Sequence, residues 1–100
     1  MSIIINQDII LAEDARLIKR LYKVRKETSF PDGLKFAYQY LVFRNNEWIE
    51  VCRIDNYKHD KNEIGTHIHK HGRKKVVFKE LSFEEAEEYT MRLGEELRRL

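Results

Sequence analysis

The chain has 100 residues, with 19 Lys and Arg against 17 Asp and Glu, and is 42% hydrophobic and 36% charged. That is enough for one domain with one core and a heavily charged surface, and it leaves no room for a second core. Five Tyr, five Phe and one Trp argue against disorder, no run approaches the ~20 apolar residues of a membrane span, and the lone cysteine excludes an internal disulfide, which fits a reducing compartment.

Residues 3–11 read as a strand, and Asp8 within them interrupts the apolar run a signal peptide would need, so a cytoplasmic location is expected. The next stretch stays open between a helical turn over 12–20 and one long strand over 17–30. Residues 16–26 hold Arg16, Lys19, Arg20, Lys23, Arg25 and Lys26 with no acid among them. Pro31-Asp32-Gly33 is a turn signal. After it Leu34, Phe36, Tyr38, Tyr40 and Val42 share one parity and line one face of a strand. Asn45-Asn46 reads as a hairpin turn.

Over 48–57 the alternation resumes. It places Trp48, Cys52 and Ile54 on one face, and Ile49, Val51, Arg53, Asp55 and Tyr57 on the other. Cys52 reads as a small buried hydrophobe. Residues 75–81 suggest a further strand, within a second basic stretch of Lys70, Arg73, Lys74, Lys75 and Lys79. Ser82 followed by Glu85 is a capping box. Phe83, Ala86, Thr90, Leu93, Leu97 and Leu100 then recur at spacings of three and four, with acids at the start and Arg98 and Arg99 at the end, which predicts a helix over about 82–99. The whole is read as a single α+β domain over 1–100, an antiparallel sheet of four to five strands with the C-terminal amphipathic helix packed on it.

All four histidines lie close together: His59, His67, His69 and His71. If His67-Ile68-His69-Lys70-His71 is extended, alternation puts its three imidazoles on one face. Arg53, Asp55, Tyr57 and His59 also share a parity, and the polar stretch 58–63 with Gly65 suggests a loop between the two segments. Paired as a hairpin, they make a face rich in titratable groups. Three readings follow. One is metal binding by His67, His69 and His71 with Asp55, since imidazole and carboxylate suit Zn, Ni, Cu or Fe. The second is metal-free RNA cleavage, for which imidazoles supply base and acid and Arg53 the cation for phosphorane charge. The third is structural, with Asp55 and Asn56 capping a turn beside an exposed polar face.

Arg53-Ile54-Asp55-Asn56-Tyr57 followed by Gly65-Thr66-His67-Ile68-His69-Lys70-His71 resembles small prokaryotic toxins of the TumE type and related proteins. The resemblance is sharp over about twenty residues and agrees in the order of the flanking strands and helix. It implies an RNA-cleaving toxin paired with an antitoxin, with Arg53, Asp55, Asn56, His67, His69 and His71 carried over. On this reading His67 and His69, ~7 Å apart along a strand, are acid and base, Arg53 meets the scissile phosphate and Asp55 orients an imidazole. Tyr57, Asn56, His71, Arg73 and Lys74 bind substrate, with no cofactor. The expected partners are RNA, held by the basic segments 16–26 and 70–79, and a cognate antitoxin, with no membrane. The alternative is a non-catalytic metal-binding or protein-interaction module that uses the same histidine cluster.

Overall fold

The computed structural model describes residues 2–57 and 65–100. Among them are six strands and a helix: β1 Ser2–Ala12, β2 Ala15–Lys23, β3 Leu34–Arg44, β4 Glu47–Asp55, β5 His67–Lys70, β6 Val77–Phe78 and α1 Phe83–Arg98. The strands form one antiparallel sheet whose spatial order is the chain order. The α+β reading holds, with six strands in place of four to five. The extra strands come from the ends. Residues 2–23 form a hairpin, not a helical turn or a long 17–30 strand, because Ala15, Leu17 and Leu21 are buried on one face while Arg16, Ile18 and Arg20 alternate with them. Of residues 75–81 only Val77 and Phe78 pair, against Ile68 and His67.

The turns between strands follow their residues. Gly33 takes φ +69° and its N–H donates to Phe30 O at 2.9 Å, closing the Pro31-Asp32-Gly33 turn. Asn45 and Asn46 both have positive φ, 52° and 64°, as the tight two-residue hairpin between β3 and β4 demands.

One face of the sheet is closed by α1. Phe36, Tyr38, Tyr40, Val42, Cys52, Ile54 and Ile68 are buried there with Ala86 and Leu93 of the helix. The Ser82–Glu85 capping box is formed, with Ser82 Oγ accepting from Glu85 N at 3.1 Å and Glu85 Oε1 accepting from Ser82 N at 2.9 Å. Gly94 sits where a Cβ would lie 2.2 Å from the Tyr40 ring, so the helix approaches β3 only because that side chain is missing. Arg44 donates to Leu97 O and Arg98 O, both at 2.8 Å, and satisfies carbonyls at the end of the helix. Leu100 is 90% exposed and falls outside the apolar stripe. No helix among the described residues is long and apolar enough to cross a membrane.

The alternation expected over 48–57 breaks at a bulge. Tyr40 opposes Cys52, but Leu41 opposes Glu50, which leaves Val51 as an extra residue. Parity therefore switches along β4. Trp48 lies across from Phe43 on the side away from α1, not with Cys52 and Ile54, and Ile49 and Val51 join the core instead of sharing a face with Arg53.

Candidate functional site

Beyond the bulge, Ile54 and Ile68 oppose each other and are buried on the helix side. Their neighbours must then point the other way. The pairs Asp55–His67 and Arg53–His69 consequently stand side by side on the face that α1 leaves open. The predicted β4–β5 hairpin is present, although its loop, with His59, lies outside the described residues.

Asp55 is the hub. Its Oδ2 is 3.0 Å from Arg53 Nε and 3.5 Å from His69 Nε2, while its Oδ1 is 3.5 Å from His67 Nδ1 and accepts from Tyr57 N at 3.0 Å. A carboxylate that is only 1% exposed needs such partners, since burying an ion alone is costly. Exposure rises outward across the cluster. His67 is fully enclosed, with the Phe78 ring edge-on at 4.8 Å between centroids, whereas the side chains of His69 and Arg53 are 24% and 34% exposed. The imidazole–carboxylate separations of 3.5 Å are long for hydrogen bonds. They are close to the ~3.4 Å that separates ligand atoms around one tetrahedral ion with bonds of ~2.1 Å. One ligand atom from each of Asp55, His67 and His69 lies within 4.8 Å of the others.

The remaining predicted residues scatter. His71 is exposed in the turn after β5, outside the Asp55–His67–His69 group, because the chain leaves the strand toward Gly72 at φ +73°. Asn56 is committed to structure: its Oδ1 accepts from Phe36 N at 2.8 Å and its Nδ2 donates to Leu34 O at 2.9 Å, which ties the end of β4 to the start of β3. The half-buried Tyr57 has Lys35 Nζ 4.3 Å from its ring centroid, and burial, then the neighbouring Tyr22 and Asp55, raise its phenol above the ordinary value. Arg73 and Lys74 are exposed beyond β5. The basic run 16–26 is divided by the pleat: Lys19 faces α1 and pairs with Glu87, while Arg16 and Arg20 fall on the open face.

Three side chains on the open face were missed from the sequence. Lys35, Phe78 and Trp48, the last with Arg16 5.0 Å from its ring centroid, gain their roles from cross-strand neighbours. The opposite parity of Lys35 to the apolar stripe of β3 was the available signal. Cys52 is buried as expected, and burial pushes its thiol up to about 12, which leaves it inert as a nucleophile.

No family model matches the chain, and neither does any curated protein or solved structure. The chemistry of the site therefore rests on its own geometry.

Proposed function

We propose that this protein cleaves RNA by metal-free acid–base chemistry on the open face of its sheet, as the toxin of a prokaryotic toxin–antitoxin pair. The observation that carries this reading is the buried Asp55 carboxylate gathering Arg53, His67 and His69 into one cluster that is closed at His67 and open at His69 and Arg53. His69 is the group that touches RNA. It removes the proton of a ribose 2′-hydroxyl, the 2′-oxygen attacks phosphorus, and the 5′-oxygen leaves and takes a proton from water, giving a 2′,3′-cyclic phosphate. Arg53 neutralises the charge that develops on phosphorus. A fully buried imidazole does not meet a polymer, so His67 acts from behind as a positioning residue, in place of the second proton-transfer role expected from the sequence. Asp55 fixes the orientation of His69. Arg20 and Lys35 offer phosphate contacts on the same face, and Tyr57 and Phe43 offer rings for unstacked bases. A metal ranks second because the Arg53 guanidinium already occupies one side of Asp55 and would repel a second cation.

The test is cleavage of mixed-sequence RNA in excess chelator. His69→Ala is expected to lower the rate ~10²-fold, the usual size of one proton-transfer contribution, and Arg53→Ala to lower both rate and affinity. Undiminished cutting by His69→Ala sinks the assignment. A second reading, a non-catalytic metal module, is favoured by the ligand-like spacing of Asp55, His67 and His69. It predicts one zinc per chain on titration of chelator-treated protein, abolished by His69→Ala, with no RNA cleavage.

A further inference from the structure

We propose that β1 is a homodimer interface, through which two copies of this chain pair antiparallel about Gln7 and merge their sheets. β1 is the outer strand of the sheet and pairs with β2 alone among the described residues. It is eleven residues long and has no Lys, Arg or Pro. Those residues are among the devices that keep an exposed edge from pairing. Three of its apolar side chains are open, with Ile3 65%, Ile4 52% and Ile10 77% exposed, while Ile5, Ile9 and Leu11 are partly buried against the core. The other edge is built differently: β6 is two residues long, and Lys74, Lys75 and Lys79 lie close on either side of it.

The identity of the occupant is written in β1 itself. Ile3-Ile4-Ile5-Asn6-Gln7-Asp8-Ile9-Ile10-Leu11 reads nearly the same in both directions about Gln7. An antiparallel pair centred there sets Ile5 opposite Ile9 and brings Ile4 beside Ile10 of the second copy, twice over. The interface is isologous, as a two-fold dimer requires. The strand's one charge, Asp8, meets Asn6 of the second copy, so no like charges are opposed. Asp8 is also paired with Arg16 within its own chain, which keeps the carboxylate neutralised when the edge closes. The register shifts with β2 fall at Ile4 and Leu11, so the stretch about Gln7 is regular strand. The two-fold axis stands perpendicular to the joined sheet. Both helices then lie on one side and both Asp55 residues on the other, seven strand spacings or on the order of 33 Å apart.

Sedimentation equilibrium of the full chain is expected to give a mass of twice 12.1 kDa. Asn6→Asp puts a carboxylate opposite Asp8 of the second copy on both sides of the axis and should weaken the dimer about tenfold. Within its own chain that residue faces Arg20, so the fold is not compromised. Asn6→Gln, which adds no charge, should leave the dimer intact. Independently, Gln7→Cys should form a disulfide-linked dimer on mild oxidation, since the axis brings the position against itself, and Asn6→Cys should not. A chain that sediments as a monomer overturns the proposal and leaves this edge to a strand of another protein. A dimer indifferent to Asn6→Asp, and linked equally by both cysteine variants, overturns it as well.

Discussion

The two faces of β3, β4 and β5 differ in what they bury. On the helix side the polar groups are mostly neutral and have near partners: Tyr38 donates to Phe83 O at 2.9 Å, Tyr40 to Glu95 Oε2 at 3.0 Å and Thr90 to Ala86 O at 2.7 Å. On the open side, alternate residues of the same strands gather a carboxylate, a guanidinium and two imidazoles around one point. The pleat thus lets one set of strands hold the fold together with one parity and carry titratable groups with the other. Changes on the open face should act on chemistry, and changes on the closed face on stability.

The sharpest way to break that division is Asp55→Asn. It keeps the volume but removes the charge that orders Arg53 and His69, and cleavage should fall ~10²-fold or more. If RNA cutting by Asp55→Asn equals that of the wild type, the open face has no hub. Gly94→Ala tests the closed face. Its methyl group would meet the Tyr40 ring at 2.2 Å, and overpacking of this kind costs about 1–3 kcal/mol, partly offset by up to ~1 kcal/mol of helix propensity. Denaturant unfolding should show a net loss, with cleavage per folded molecule unchanged.

A smaller effect is expected in acid. Hydrogen bonds from Arg98 hold the carboxyl of Asp14 below its ordinary 3.8, and those from Tyr40 and Arg98 hold Glu95 below 4.5. Groups depressed on folding stabilise the native state above those values and lose that contribution as pH falls through the folded ones. The thermal midpoint should therefore drop on acidification below about pH 4, less steeply in Asp14→Asn, and an equal slope in both proteins would dissociate this pair from acid stability. The smallest effect concerns Cys52. With its thiol pushed up to about 12, it should resist alkylation at neutral pH in native protein and react only in denaturant. Modification of the native chain would mean that the closed face opens.

Much of this division could be read in the sequence. The parity of Leu34 to Val42, the Asn45-Asn46 turn, the capping box and the β4–β5 hairpin each rest on local patterns that the fold preserves. What escaped reading depends on partners. Val51 is a bulge only because β3 runs past β4 in a particular register, and no property of the residue announces it. The N-terminal hairpin was obscured because cations occupy both faces of β2, where only Ala15, Leu17 and Leu21 keep the period. His71 shares the parity of His67 and His69, yet the strand ends one residue before it. Asn56 looked like a ligand residue because nothing in its neighbourhood reveals that its amide bonds to backbone twenty residues away.

A sheet laid down in chain order has a kinetic corollary. Each strand meets its partner as soon as it emerges from the ribosome, and hairpins close in ~1–10 μs. The helix is a late arrival, since Tyr38 and Tyr40 find their helical partners 45 and 55 residues downstream. At ~5–20 residues per second, the sixteen residues of α1 alone take roughly 1–3 s to synthesise. Throughout that interval the nascent chain presents Phe36, Tyr38, Tyr40 and Ile54 as a bare apolar sheet. Until α1 docks, that apolar β-surface is what the chain would offer to a holdase chaperone.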